Sequence, residues 1–222
     1  MSLALIRLMQ LVSPVLPVGA YTYSQGLEWA VQAGTVQSEA SAQVWIGDCL
    51  EFGAARLEAV YLGQMLRAWQ MGHADQALAL DAEFLASRET AELRAETLQM
   101  GHSLARLLRD LGAFSTEVLG RFDEPGYPLV WSFAANAWSI SPEAAMTGYL
   151  WAWLENQVMA AVKLVPLGQT AGQRLLATLG QQLPACARTA LETPLEQTSN
   201  YLPAFAIASC CHETQYTRLF RS

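Results

Sequence analysis

With 222 residues, the chain can bury roughly 70% of the surface it exposes when unfolded, so it needs no disulfide or metal staple to fold. A net charge of −7 and the lack of any basic tract argue against nucleic acid and against an anionic membrane surface as partners. Only 15% of residues are charged while 52% are hydrophobic, against about 25% charged in a typical soluble domain, so extra apolar surface is expected at contacts with other proteins.

The first nine residues, Met1 to Met9, lack the charged region, long apolar run and cleavage site of a signal peptide. Between Ser13 and Glu28, Pro14, Pro17 and Gly19 stiffen a crossing, and Ser24 is placed to cap a helix from Gln25 to Ala33 that stops at Gly34. Two readings stand side by side for this stretch: a rigid turn that buries Tyr21 and Tyr23, or a recognition loop.

Trp45, Cys49 and Phe52 follow at i, i+4, i+7, and Leu57, Val60 and Tyr61 continue a face towards Trp69. From Arg88 to Gly112 the apolar set is Leu93, Met100, Leu104, Leu107, Leu108 and Leu111. Arg88–Glu92 and Arg106–Asp110 are spaced as i,i+4 ion pairs, and Gly112 stands where a helix-ending glycine belongs. Alone, Ser87 to Glu96 reads as a solvated, salt-bridged face.

Glu117 to Pro128, with Pro125-Gly126, is the most loop-like connection. Tyr127 to Phe133 has some strand character but is better taken as helix. Ser141-Pro142-Glu143 combines a cap, a first-turn proline and an acid beside the positive helix end, so a helix should start there and run to about Val165. Leu154, Val158, Ala161 and Val165 share one face of it; Asn156 and Lys163 share another, and must find internal partners or face another protein. Lys163, the only lysine, has the alternative of snorkelling to water. Further helices begin near Thr170 and after Pro203.

At the end of the sequence, His212, Tyr216 and Phe220 lie at i, i+4, i+8 with Arg218 and Arg221 beside them. They would form a stripe suited to an interface if helical, or fold back on the bundle. The expected fold is all-α: one domain over residues 1–222, a helical bundle of about eight to ten helices.

Several enzyme chemistries are missing. A phosphate loop needs Gly-Lys-Ser/Thr, whereas the sole lysine sits in Val162-Lys163-Leu164. Gly101-His102-Ser103-Leu104-Ala105 lacks the final glycine of a nucleophile elbow and lies within a helix. In His212-Glu213-Thr214-Gln215-Tyr216 a tyrosine replaces the second histidine of a zinc-protease helix. Cys210, Cys211 and His212 are consecutive, about 100° apart on a helix, and close poorly on one ion. No catalytic residue, metal site or cofactor is expected, and the four cysteines without CxxC spacing fit reduced thiols in the cytoplasm.

Four segments carry a resemblance. SPVLPVGAYTYSQGLEWA, SRETAELR, WLENQVMAAVKLVPLGQTAGQ and IASCCHETQYTRLFRS, in this order, resemble the urease accessory protein UreF. The resemblance implies an all-α protein, commonly a homodimer, that joins the accessory protein UreD (also called UreH) and the GTPase UreG on apo-urease. That assembly helps nickel, delivered by UreE, reach the urease active site. The chain would be a scaffold or gate, without nucleotide chemistry of its own. On this basis His212, Glu213, Gln215, Tyr216, Arg218, Phe220 and Arg221 are candidates to dock the UreD-like partner, and Tyr21, Tyr23, Gln25, Glu28 and Lys163 to meet the UreG-like partner. The alternatives are a GTPase-activating protein, a generic helical adaptor without a direct nickel role, or a thiol-based metal carrier.

Overall fold

A computed structural model describes residues 2–222; Met1 lies outside them. Within the described residues every regular element is helical. In chain order these are α1 (Leu3–Leu11), α2 (Leu27–Gln32), α3 (Glu39–Asp48), a π-helical segment (Cys49–Glu58), α4 (Ala59–Gln70), α5 (Ala74–Ala86), α6 (Ala91–Leu111), α7 (Thr116–Gly120), α8 (Tyr127–Ala137), α9 (Pro142–Leu164), α10 (Gln169–Gly180), α11 (Leu183–Glu192) and α12 (Pro203–Glu213). Single 3₁₀ turns occupy Ala20–Thr22 and Leu195–Gln197. Counting α3, the π segment and α4 as one rod leaves eleven α-helical elements among the described residues, of which α2 and α7 are six and five residues long. The expected all-α bundle is what is found.

The boundaries follow local chemistry. Ser141 Oγ accepts the Ala144 N–H, Pro142 occupies the first turn, and α9 runs 23 residues to Leu164. Thr90 Oγ1 caps α6 by accepting the Leu93 N–H, and Gly112 ends that helix at φ 64°, a left-handed conformation that costs glycine least. Tyr127–Ala137 is helical, as the sequence favoured. Within the loop-like stretch from Glu117 to Pro128, the structure adds the short α7, capped by Ser115.

The π segment alters one expected face. Its closing bond runs from the Ala59 N–H to the Ala54 carbonyl, five residues back, so each turn holds more residues than an α-turn. The i, i+4, i+7 register of Trp45, Cys49 and Phe52 is therefore lost: Cys49 is buried while Phe52 is 37% exposed. The same widening turns Glu58 inward, where it meets Arg88 and Tyr149.

One apolar core links the helices. It holds α4 against α5 and α8, α6 against α8, and α9 against α10 and α11. Its aromatic centre is Phe133, whose ring lies 5.3 Å from Trp69, 5.6 Å from Phe122 and 5.9 Å from Phe114. The Trp69 indole N–H donates to Ser132 Oγ at 3.0 Å. Leu154, Val158, Ala161 and Val165 are all buried, as their shared face requires. Gly101 is fixed by close approach rather than catalysis: a Cβ there would collide with the Pro125 carbonyl oxygen. Ser103 donates to its own helix at the Gln99 carbonyl, and nothing resembling a nucleophile elbow forms.

Candidate functional site

The four segments that carry the resemblance are spread along the sequence from Ser13 to Ser222, yet they meet at one junction. α12 ends at Glu213, and residues 214–222 leave it as an irregular, bent strap laid across α2, α6 and α9. The helical stripe His212–Tyr216–Phe220 therefore does not exist. His212 is fully buried, Tyr216 is 102% exposed, and Phe220 is buried again, because non-helical backbone sends these side chains in different directions.

Three carboxylates of the body hold the strap and its approach. Glu28, just inside α2, accepts the backbone N–H groups of Leu219 at 2.6 Å and Phe220 at 2.8 Å. Glu92 accepts from Arg218 Nη1 at 2.6 Å. The His212 ring lies between these two acids, Nδ1 2.6 Å from Glu92 and Nε2 3.3 Å from Glu28. Glu96 accepts from the Ser222 hydroxyl at 2.8 Å and from the Gln25 amide at 2.7 Å. The Glu92–Arg218 contact is charge-assisted, and bonds of that kind are about twice as strong as neutral ones.

Backbone pairing completes the seam. The Arg221 N–H donates to the Thr22 carbonyl, and the Ser24 N–H and hydroxyl both donate to the Ser222 carbonyl. Ser24 Oγ also accepts the Glu28 N–H at 3.3 Å, a first-turn amide, but Ser24 is not the N-cap: the helix begins at Leu27 rather than Gln25, with Gly26 in the cap position. Gln25 itself sits at φ 53°, uncommon for a side-chain-bearing residue. Its amide is held on both sides, donating to Glu96 and accepting the Trp153 indole N–H at 2.8 Å. Gly26 follows at φ 79° and lets α12 approach: a Cβ would meet the Ser209 nitrogen at 2.9 Å.

Ser87 to Glu96 is thus not a solvated face. Arg88 turns inward to Glu58 at 3.4 Å instead of pairing with Glu92, Thr90 Oγ1 meets Ser209 Oγ at 2.9 Å, and Glu96 is buried. No ion pair joins Arg106 to Asp110 among those formed by the described residues.

Burial sets the electrostatics. Desolvation raises the Glu96 carboxyl to about 7, against the pull of Arg88, Gln25 and Ser222. Tyr21 is pushed up to about 12 by desolvation and by Glu155, to which its hydroxyl donates at 3.3 Å. Tyr23 also moves up, chiefly by burial. It donates to Gln99 Oε1, which also accepts from Arg221 at 3.4 Å.

The expected site residues divide by position. Tyr23, Gln25, Glu28, His212 and Phe220 are inside the seam; Tyr21 and Gln215 are half-buried; Lys163, Glu213, Tyr216, Arg218 and Arg221 face solvent. Lys163 spreads its ammonium over the Phe220 ring, 5.5 Å from the centroid, a cation–π contact that ties α9 to the strap. Sequence reasoning missed Ser24, Glu92, Glu96, Gln99 and Ser222. One signal was present: Leu93, Glu96, Thr97, Met100 and Leu104 share a helix face, so an acid stands in an apolar stripe.

Among the described residues no three His, Cys, Asp or Glu side chains gather closely enough to hold a metal ion, and Cys210, Cys211 and His212 form no such group. Nor is any helix long and apolar enough to cross a membrane.

Comparison with known proteins gives a consistent result. A family model described as UreF matches residues 36–180. Over 225 residues the chain is 59% identical to a urease accessory protein UreF from Azoarcus sp. (strain BH72), covering 99% of this chain and 96% of that protein. It is 57% identical to the protein of the same description from Dechloromonas aromatica (strain RCB), covering 99% and 98%, and 47% identical to that from Nitrosococcus oceani, covering 97% of each. The family model spans the rod and the long helices, whereas the pairwise similarity extends through both halves of the seam.

Proposed function

Since the chain belongs to the UreF family, we propose that it serves urease maturation as a non-catalytic scaffold, within a complex containing a UreD/UreH-like accessory protein and a UreG-like GTPase that delivers nickel to apo-urease. Nickel is the cargo of that assembly and nucleotide hydrolysis belongs to the GTPase. One observation carries the reading: the four segments that resemble the family converge on a seam whose interior is pinned by Glu28, Glu92 and Glu96. Its exterior offers Tyr216, Arg218, Leu219 and Arg221 to solvent. Aromatic, arginine and apolar side chains on a pre-ordered segment are what interface hot spots are made of, and pre-ordering lowers the entropic cost of association.

In this reading the outward residues of the strap dock the UreD-like partner. Lys163 and Tyr21, on the neighbouring α9 and α2 approach, serve the UreG-like partner. The buried Tyr23, Gln25, Glu28, His212 and Phe220 act by holding the exposed residues in place. A homodimer belongs to the same proposal, supported by apolar side chains left exposed on α1, namely Leu3, Ile6 and Met9. A cytoplasmic location is supported by four unpaired thiols.

The test is reconstitution of apo-urease with nickel, GTP and the other accessory proteins, with and without this chain. Activation that depends on the chain, and that falls when Tyr216 and Arg221 are changed to Ala in a protein of unchanged stability, supports the proposal. Full activation without the chain refutes it.

A further inference from the structure

Two carboxylates and one guanidinium share the space beneath the strap. Glu96 reaches it from α6, Glu58 from the π segment, and Arg88 from the turn before α6. Arg88 is committed to Glu58 at 3.4 Å and stacked on Phe84. The groups that meet Glu96 directly are neutral: Gln25 from the α2 approach and Ser222 from the strap. Tyr23 stands nearby, its hydroxyl turned to Gln99, which also receives Arg221. Tyr127 from the start of α8 and Tyr149, Trp153 and Asn156 from α9 line the same cavity of about 50 Å³. Burial and Glu58 push both phenols further up, so they stay neutral, and Trp153 and Asn156 carry no charge. An ionised Glu96 is therefore a second buried negative charge facing one cation already in use, which is costly in a low-dielectric interior. Water or a proton relieves that cost.

We propose that residues 214–222 form a proton-linked strap: Glu96 takes up a proton when the strap closes over it and releases the proton when the strap lifts. Ser222 is the lid on this carboxyl, and the seam formed by Glu28, Thr22 and Ser24 sets whether Ser222 is in place. The direction follows from burial, which outweighs the opposite pull of Arg88 and of the Gln25 and Ser222 donors on this carboxyl. Closed, the carboxyl is held up at about 7; exposed, it returns towards its ordinary 4.5. Between those values the closed strap holds a proton that the open strap lacks, so raising the pH through the window favours opening. Each unit of difference is worth tenfold in the equilibrium, which sets a ceiling of ~300-fold if lifting the strap exposes Glu96 fully. The outward face carrying Tyr216 and Arg218 would then be ordered most firmly on the acid side of neutrality.

Amide exchange reads the strap directly, because the N–H groups of Leu219, Phe220 and Arg221 are its bonds to the body. After correction for intrinsic exchange, protection at these three amides should fall about tenfold or more between pH 5 and pH 8, within the ~300-fold ceiling. In Glu96→Gln, which keeps the shape and removes the charge, the dependence should flatten. A slope that persists unchanged in Glu96→Gln would assign the proton to another group, such as the His212–Glu28–Glu92 cluster, and overturn the proposal. A carboxyl-carbon NMR titration of the unaltered protein gives an independent reading. Glu96 should titrate near 7, in step with the loss of protection, and a midpoint near 4.5 would overturn the proposal as well.

Discussion

Around Phe133, helices α4 and α8 and the segments flanking α7 meet through rings and methyl groups; around Glu96, segments from both ends of the chain meet through carboxylates, amides and hydroxyls. The first region is assembled from residues between Trp69 and Trp138 and is stabilised by area removed from water. Hydrogen bonds in the second span up to 198 residues of sequence, and the region is stabilised only while every partner is present. Apolar packing is cumulative and tolerant of close substitutes, whereas a buried polar seam fails when a single acceptor is lost. The aromatic region makes the body stable; the seam decides where the strap lies.

The largest effect that separates the two regions should come from Phe133→Ala, which removes a ring touching three others. About 3–5 kcal/mol of global stability should be lost, seen as a lower urea midpoint with all probes moving together. Glu28→Ala should cost less, about 2–3 kcal/mol for the two backbone donors and the His212 Nε2 left without a partner. Its loss should be local: exchange and tryptic cleavage at Arg218 and Arg221 accelerate before the core unfolds. If Glu28→Ala unfolds the whole protein in one step, seam and core are a single cooperative unit and the contrast is void. Thr90→Ala removes both the α6 cap and the contact to Ser209, for about 1–2 kcal/mol by thermal melting. Tyr216→Ala, with no burial to lose, should shift stability by no more than about 0.5 kcal/mol and act on partner binding alone.

The two regions also differed in how readable they were. The core helices announce themselves locally: Ser141-Pro142-Glu143 starts α9, Gly112 ends α6, and Leu154, Val158, Ala161 and Val165 lie on one buried face. Where the reading failed, a longer-range force had won. The π segment displaced Phe52 to the surface. Arg88 left its i+4 neighbour for Glu58, thirty residues away, since a buried guanidinium needs a buried partner. α12 stopped at Glu213 because Glu28 offers the strap's N–H groups a stronger acceptor than another helical turn would. No periodicity encodes such partners; the acid at Glu96 within an apolar stripe was the one local sign that a polar seam lay inside.

The division between inward anchors and outward contacts is tested most directly by the affinity of a reconstituted complex. The measurement compares this chain with its Tyr216→Ala/Leu219→Ala/Arg221→Ala variant in binding the UreD-like partner, by calorimetry at fixed pH and salt. The variant should keep its melting temperature within a few degrees and bind about 30-fold more weakly or worse, as expected when an exposed hot spot worth ~2 kcal/mol is removed. Unchanged affinity in a fully folded variant would contradict the account and move the docking surface elsewhere on the bundle.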